Sequence, residues 1–356
     1  MLRDSKVIMS IRQLWYYLFK FLIKISLFFY TKKIIVKGKE NIPKKGAVLF
    51  AVNHPNGLLD PLIVTINNPR TNYFLVRAAS FKKPLVKRFL NSLNLMPIYR
   101  MRDGVKQLGN NAEVFNKCYD LLNQHKALMI FPEGSHNHRR NVRNLSKGFT
   151  RIVFGALEKN PTLKIHIISV GVTYQNPSIY PSSVCIHYGT PILANDFYNP
   201  EIIHSEIKRL KETIRCQLKT LSVHIPLDEN YEKTLTTLTS ENVDFTEIEK
   251  VNLMIRTKTI IGRTKKMNYV GFIKPIIILN FIIPWFIWKY IENKIEEFEF
   301  IDTFRFGINT ISVGINLMIV TYALSYFYNW TTATIYLIGS LLLILLYSKL
   351  HPIPAK

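Results

Sequence analysis

The sequence predicts an α/β protein in which helices flank a central, mostly parallel sheet, with an interfacial helix before it and a transmembrane helical hairpin after it. Short apolar runs of strand length alternate with amphipathic stretches of helical length between about residues 33 and 223, as in proteins built on parallel sheets. Two stretches near the C-terminus, residues 306–328 and 331–347, contain no Asp, Glu, Lys or Arg and approach the ~20 residues needed to cross a bilayer.

The chain of 356 residues combines a formal net charge of +23 with 48% hydrophobic residues. This combination is typical of proteins that bind anionic lipid or nucleic acid. No nucleic-acid-binding module and no interleaved aromatic and basic residues are present, so we expect membrane lipid and no nucleic acid among the partners. The widely spaced Cys118, Cys185 and Cys216 predict no disulfide framework, which favours a reducing compartment. No small-residue cleavage site follows the N-terminus, and we expect no removable signal peptide.

Residues 11–30 predict the first helix. Arg12, Tyr16, Lys20 and Lys24 follow at four-residue steps on one side, and apolar residues occupy the other: Leu14, Leu18, Phe21, Leu22, Ile25 and Phe28. Because the charges lie too centrally for an easy span, we predict a helix lying in the membrane interface. The alternative is an ordinary amphipathic helix packed on the core.

The apolar run 46–52 predicts a buried strand that stops at the turn-forming residues 53–57. Asp60 and Pro61 are typical of a helix start, with Asp60 as the cap and Pro61 at the first helical position. His54 therefore lies just after the end of a strand and six residues before the Asp60 carboxylate. A neutral imidazole held by a carboxylate is a general base. On these residues alone, a turn histidine and a helix cap remain the simpler interpretation.

Further strands end in charged or polar residues. The strand 72–77 ends at Arg77, the strand 95–99 precedes Arg100 and Arg102, and the strand 127–131 precedes Glu133, Gly134 and Ser135. If these strands are parallel neighbours, the groups converge on one rim with His54. Guanidinium forks suit phosphate oxygens, so the set predicts proton removal from a hydroxyl of a phosphate-bearing substrate. Alternatively, Arg77, Arg88 and Arg102 are solvated surface charges.

The rest of the domain continues the alternation, with predicted helices at 110–125, 147–157 and 201–223 and predicted strands at 164–173 and 183–188. Residues 226–266 are charged with a helical pattern and predict a connector. Residues 271–290 contain Lys274, Pro275 and Pro284 and predict a broken or re-entrant segment. A short turn at Asn329 and Trp330 joins the two uncharged stretches into a hairpin with both ends on one side. Its alternative is a hairpin buried against the domain.

Three motifs occur in order: Asn53-His54 with Asp60, residues 97–100 (Pro-Ile-Tyr-Arg), and residues 131–135 (Phe-Pro-Glu-Gly-Ser). This ordered set resembles the glycerolipid acyltransferases over about residues 35 to 222. His54 and Asp60 enclose five residues, one more than the usual four. Lys147-Gly148 resembles a shortened Lys-x-Gly step, and residues 189–192 fit the family's Gly-x-Pro-Ile turn. Residues 168–170 lack the proline of the family's fourth block, and no catalytic role is assigned to them.

The resemblance implies the glycerolipid acyltransferase fold and direct transfer of a fatty acyl chain from acyl-CoA or acyl carrier protein to glycerol-3-phosphate or 1-acylglycerol-3-phosphate. His54, oriented by Asp60, would deprotonate the acceptor hydroxyl. Substrate binding falls to the remaining motif residues: Arg77, Arg100 and Arg102 for phosphate, Glu133, Gly134 and Ser135 for glycerol, and Lys147. No cofactor beyond the co-substrate and no acyl-enzyme are expected. Two alternatives remain: a lysophospholipid or hydroxyacyl amino-acid lipid acceptor, and a non-catalytic lipid-binding protein.

These patterns divide the chain into an interfacial helix (1–34), an acyltransferase domain (35–224), a charged connector (225–268) and a hydrophobic membrane region (269–350). Arg305 and Lys349 flank the hairpin and favour the cytoplasmic face of the inner membrane for the catalytic domain. His136 and His138 suggest a metal pair, but no third ligand is near and no metal is expected. Backbone N–H groups around Asn56 and Gly57 are the candidate oxyanion donors. The oligomeric state is open.

Overall fold

The computed structural model describes residues 10–99, 109, 111–264 and 267–356 of the chain. Its helices are α1 (Ile11–Tyr30), α2 (Leu59–Ile66), α3 (Pro84–Ser92), α4 (Asn111–Asn123), α5 (Gly148–Lys159), α6 (Ile203–Leu221), α7 (Tyr231–Ser240), α8 (Ile248–Thr257), α9 (Ile273–Asn280), α10 (Ile282–Glu292), α11 (Ile301–Phe327) and α12 (Trp330–Leu350). Its strands are β1 (Lys33–Lys37), β2 (Ala47–Val52), β3 (Asn72–Arg77), β4 (Leu95–Ile98), β5 (Ala127–Ile130), β6 (Ile165–Tyr174), β7 (Ser183–Tyr188) and β8 (Ile192–Leu193).

Within the described ranges, eight strands form one mixed sheet in the order β1-β7-β6-β2-β5-β3-β4, with β8 paired to β6. β2 runs parallel to β5 and β6, and β3 runs parallel to β4 and β5. β7 and β8 are antiparallel to β6, and β1 is parallel to β7. The predicted mostly parallel sheet is confirmed. Since β2, β3, β4 and β5 are parallel neighbours, their carboxyl ends share one rim.

Strand β2 is central to the core, because all six of its side chains are fully buried. Successive side chains of a strand point to opposite faces of the sheet. Ala47, Leu49 and Ala51 pack in the layer that contains α4, α5 and α6. The residues between them pack with α1, α2 and the beginning of α11. The sheet is therefore covered on both faces, as a continuous apolar run predicts for a parallel strand.

The residues predicted as a charged connector fold against the β1–β7 side of the sheet. Tyr231 and Leu238 of α7 and Val251 of α8 join Cys185 of β7 in one buried apolar cluster. Because these side chains are buried together, α7 and α8 are packed onto the α/β domain. The division of the chain into four segments stays a prediction.

In the part of the chain that the structure describes, two helical segments are long and apolar enough to cross a membrane, Phe298–Phe327 and Trp330–Leu350. They contain α11 and α12, which follow each other as the predicted hairpin requires. The pair α9 and α10 passes the same test only as one bent unit, with 95° between its halves. The predicted break between residues 271 and 290 is therefore present.

Helix α1 is oriented opposite to an ordinary surface helix, with its polar face toward the protein and its apolar face outward. Its polar stripe lies against the domain: Arg12 donates to the Asn91 carbonyl at 2.8 Å, and Lys20 donates to the Asn68 carbonyl at 2.5 Å. Its apolar stripe faces outward, and Phe21 and Phe28 are 57% and 55% exposed. In water a helix gains stability by burying its apolar face, so this orientation fits an apolar environment outside the protein.

Candidate active site

The shared rim of the parallel strands brings most of the predicted site residues into one region. His54 follows β2, Arg77 ends β3, and Glu133 and Gly134 follow β5. Lys147 immediately precedes α5. Arg100 and Arg102 lie outside the described residues.

The centre of this region is a histidine–carboxylate pair. His54 Nδ1 lies 2.8 Å from Asp60 Oδ2, and Asp60 is completely buried. Asp60 Oδ2 also accepts the Asn56 N–H at 2.8 Å, and Asp60 Oδ1 accepts the Tyr174 hydroxyl at 2.8 Å. A carboxylate accepts, so in the neutral imidazole Nδ1 carries the proton and Nε2 of His54 keeps its lone pair. This is the protonation state that a general base requires.

Asp60 does not act as the helix cap that the sequence predicts. Helix α2 begins one residue earlier, at Leu59, and Leu58 is the N-cap residue without a side-chain cap bond. Pro61 is therefore the third helical residue and not the first, as the sequence predicts. The Asp60 carboxylate turns back toward the preceding turn because three donors, His54, Asn56 and Tyr174, converge there. Burial raises the pKa of Asp60, and hydrogen bonds from His54, Asn56 and Tyr174 oppose that rise.

Neighbouring groups fix the imidazole ring. Asn53 accepts the Val172 N–H at 2.6 Å and donates to the Val172 carbonyl at 3.1 Å, so its side chain continues the pairing of β2 with β6. The His54 ring stacks on Phe131, with ring centroids 4.0 Å apart. The His54 carbonyl accepts the Asn137 N–H at 2.9 Å. These contacts hold the ring at the rim and leave its side chain 14% exposed.

A cavity of about 1020 Å³ opens beside His54. Most of its lining is apolar and comes from the rim strands, from the helices around them and from the start of α11: Leu58, Val86, Leu90, Ile98, Phe115 and Phe304. Arg77, Lys147 and Arg151 line the same cavity. A cavity with this lining suits a ligand that combines a long apolar part with an anionic group.

Glu133 and Ser135 are held by an arginine that the sequence patterns do not single out. Arg143 Nε donates to Glu133 Oε2 at 2.7 Å, Arg143 Nη1 donates to Ser135 Oγ at 2.8 Å, and Nη2 donates to the Ser135 carbonyl. Glu133 is 4% exposed in its side chain. Burial raises the pKa of Glu133, and the charge of Arg143 opposes that rise. Arg143 therefore sets the conformation of the loop that was predicted to bind glycerol.

Gly134 and Lys147 lie on the wall of the large cavity. Gly134 has a φ of +79°, a conformation that glycine adopts without the strain an L side chain would meet. This left-handed residue turns the chain out of β5 so that Glu133 and Ser135 both reach Arg143.

The C-terminal segment 297–304 covers the rim, which no local pattern predicts. His136 Nε2 lies 2.8 Å from Glu297 Oε2, and His138 Nδ1 lies 3.3 Å from Glu299 Oε1. The Gly57 N–H donates to the Glu299 carbonyl at 3.1 Å. The N–H groups of Asn56 and Gly57, predicted as oxyanion donors, are thus already engaged, one by Asp60 and the other by Glu299. Because neither N–H group is free to donate to an oxyanion, the prediction that these two groups form the oxyanion site is wrong.

The sheet and the site lie largely in a region that is similar to known proteins. Residues 33–173 match the family model described as Acyltransferase. His54, Asp60 and Glu133 all lie within the matched residues, which make up less than half of the chain.

Individual relatives agree with the family match. The chain is 28% identical over 115 residues to glycerol-3-phosphate O-acyltransferase 1 of Saccharomyces cerevisiae, a match that covers 31% of this chain and 15% of the yeast protein. It is 31% identical over 126 residues to the 1-acyl-sn-glycerol-3-phosphate acyltransferase of Borreliella burgdorferi, covering 35% of this chain and 48% of that protein. The chain thus spans less than half the length of both relatives. The crystal structure of the 1-acyl-sn-glycerophosphate acyltransferase of Thermotoga maritima aligns with a TM-score of 0.42 at 18% identity, covering 62% of this chain and 84% of that one.

Proposed function

We propose that this protein is a membrane-bound O-acyltransferase that transfers a fatty acyl chain from an acyl thioester to a hydroxyl of glycerol-3-phosphate or 1-acylglycerol-3-phosphate. One observation carries the proposal: an imidazole held by a buried carboxylate lies on the wall of a large, mostly apolar cavity that also contains cationic side chains. The two named relatives are a glycerol-3-phosphate and a 1-acylglycerol-3-phosphate acyltransferase, which supports this acceptor class.

The arrangement supports direct transfer. Nε2 of His54 takes the proton of the acceptor hydroxyl while that oxygen attacks the thioester carbonyl. The tetrahedral intermediate collapses, the carbon–sulfur bond breaks, and the thiolate leaves and takes up the proton. Asp60 stabilises the imidazolium that exists between the two proton transfers. The acyl group passes from sulfur to oxygen without a covalent enzyme intermediate.

The cations on the cavity wall are proposed to bind the acceptor phosphate. Arg77 and Lys147 are the described residues that both line the cavity and were predicted for this role. By resemblance to the family motif, Arg100 and Arg102 join them. Glu133 is proposed to contact the glycerol hydroxyls through the carboxylate oxygen opposite the one that Arg143 holds. Arg100→Ala is expected to raise the acceptor KM, and an unchanged KM would remove the phosphate role.

The membrane location rests on two separate surfaces. The outward apolar face of α1 and the two apolar helices α11 and α12 offer one interfacial and one spanning attachment. We place the acyltransferase domain on the cytoplasmic face, because Arg305 and Lys349 flank the hairpin and positive residues favour that side.

The test is an acceptor screen with the full chain in lipid nanodiscs. Radiolabelled acyl-CoA and acyl carrier protein thioesters are offered with glycerol-3-phosphate, 1-acylglycerol-3-phosphate, lysophosphatidylcholine and a lyso-glycine lipid. Transfer to one of the two phosphate acceptors supports the proposal. His54→Ala should remove that transfer, while His204→Ala, which changes an exposed histidine of α6, should leave it unchanged. Labelling of only lysophosphatidylcholine or the lyso-glycine lipid would contradict the acceptor class, and activity that survives His54→Ala would contradict the base.

A further inference from the structure

The turn that carries the catalytic pair is hydrogen-bonded to the membrane hairpin. The Leu58 N–H donates to Thr303 Oγ1 at 2.9 Å, and the Thr303 hydroxyl lies 3.5 Å from Asn56 Oδ1. One residue earlier, the Gly57 N–H donates to the Glu299 carbonyl. Asn56 in turn donates its own N–H to Asp60. A continuous chain of hydrogen bonds therefore runs from the first turn of α11 to the carboxylate that orients His54.

The 56–58 turn and the start of α11 are also in close van der Waals contact. A Cβ placed on Gly57 would lie 2.9 Å from the Phe300 ring and 3.0 Å from Thr303 Oγ1. Glycine is thus needed at position 57 for the segment to approach. Phe300 also packs edge-on against His136, with ring centroids 4.8 Å apart.

A buried ionic cluster fixes the orientation of α11 at this point. Asp302, next to Thr303, is 2% exposed and forms an ion pair with Arg305 at 3.4 Å. The Tyr30 hydroxyl of α1 donates to Asp302, and Arg305 donates to the Ser178 carbonyl at 3.1 Å. A buried charge pair with satisfied hydrogen bonds resists displacement, because separating it would leave the buried Asp302 carboxylate without its partner. Thr303 is therefore held against the turn by contacts to two other elements.

We propose that Thr303, in the membrane hairpin and outside the family-matched residues 33–173, is a positioning residue that holds the 56–58 turn and through it the His54–Asp60 pair. The hairpin then completes the active site in addition to attaching the protein to the bilayer. The kinetic part of this inference rests on the proposed acyl transfer. Its structural part does not, because the state of the turn can be measured without turnover.

Thr303→Val keeps the shape of the side chain and removes the hydroxyl, whereas Thr303→Ser retains the hydroxyl. Thr321→Val is the matched control, since Thr321 lies in the same helix and its hydroxyl has no hydrogen-bond partner among the described residues. All variants are compared as full chains in nanodiscs. We expect Thr303→Val to lower kcat about tenfold, equivalent to about 1.4 kcal/mol in the barrier, with both KM values within about twofold of the original protein. Thr303→Ser should recover kcat to within about threefold, and Thr321→Val should change nothing.

Hydrogen–deuterium exchange of the peptide covering residues 55–60 provides the second measurement. The Leu58 amide loses its acceptor in Thr303→Val, so exchange there should accelerate severalfold, while Thr321→Val keeps the original rate. An unchanged exchange rate in Thr303→Val overturns the proposal, as does a kcat within twofold of the original. A parallel rise in both KM values, without rescue by serine, would also overturn it, because it would indicate general loosening. If the original protein transfers acyl groups to no acceptor, the proposed function fails, and the exchange measurement still decides the positioning role.

Discussion

Asp60→Asn probes the pair on which the proposed chemistry depends. The substitution keeps the size of the side chain but removes its charge and adds an N–H2 group. Three donors converge on the carboxylate, from His54, Asn56 and Tyr174, each at 2.8 Å. An amide oxygen cannot accept all three, and the new N–H2 must face at least one of them. If it faces His54, Nδ1 has to accept, the proton moves to Nε2, and the base is lost.

The expected fall in kcat of Asp60→Asn follows from these contacts. Loss of a hydrogen bond to a charged group costs about 1.5–3 kcal/mol, and a buried donor left without an acceptor costs about 1–3 kcal/mol. Together they raise the barrier by about 2.5–6 kcal/mol, so kcat should fall about 10²–10⁴-fold. Tyr174→Phe removes one of the three donors and leaves the ring buried. It should lower kcat only about fivefold to tenfold, since it costs about 1 kcal/mol.

The assay is initial-rate acyl transfer by the full chain in nanodiscs, with the acceptor found in the screen. Acceptor binding is measured in parallel, because loss of the base should leave the acceptor dissociation constant nearly unchanged. The order expected for kcat is the original protein, then Tyr174→Phe, then Asp60→Asn, with His54→Ala at or below the last. An Asp60→Asn variant that keeps more than a tenth of the original kcat would refute the assignment of His54 as a carboxylate-oriented base.

Three further predictions test other parts of the molecule. Arg143→Ala leaves the buried Glu133 carboxylate without its ion-pair partner and should raise the acceptor KM about tenfold or more, read from initial rates; an unchanged KM would mean that the loop conformation does not matter for the acceptor. Burial, with the nearby positive charges of Lys219 and Arg215, lowers the pKa of His224 to about 4, and its Nδ1 accepts the Val142 N–H. As pH falls from 6.5 toward 4, the unfolded chain binds a proton that the folded chain does not, so the free energy of unfolding should drop by about 1–2 kcal/mol after allowance for partial exposure. Denaturation curves in detergent should show this slope, and His224→Asn should flatten it. Phe21→Glu places a charge on the outward face of α1 and should weaken liposome binding of a variant without residues 307–350, which keeps the rim segment 297–304 and the core residue Phe306; equal binding would contradict the interfacial role.

The sequence by itself determined the order of most strands and helices and the location of the candidate site at the ends of the parallel strands. The periodicity of apolar residues identifies buried strands such as β2, and turn-forming residues identify where they end. His54 and Asp60 could be paired from the sequence because they are six residues apart on either side of one turn. The two long uncharged stretches near the C-terminus were equally visible, since length and the absence of charge suffice to mark them.

Only the tertiary structure decided which groups complete the site. Arg143 belongs to a polar loop with no pattern of its own, and it is the fold that brings it to Glu133. The Asp60 carboxylate leaves its expected capping position because Tyr174, 114 residues away, provides a donor. Thr303 reaches the Leu58 N–H across 245 residues of chain. Periodicity shows which face of an element is apolar, but not which distant element covers it, because that depends on how the whole set of faces packs together.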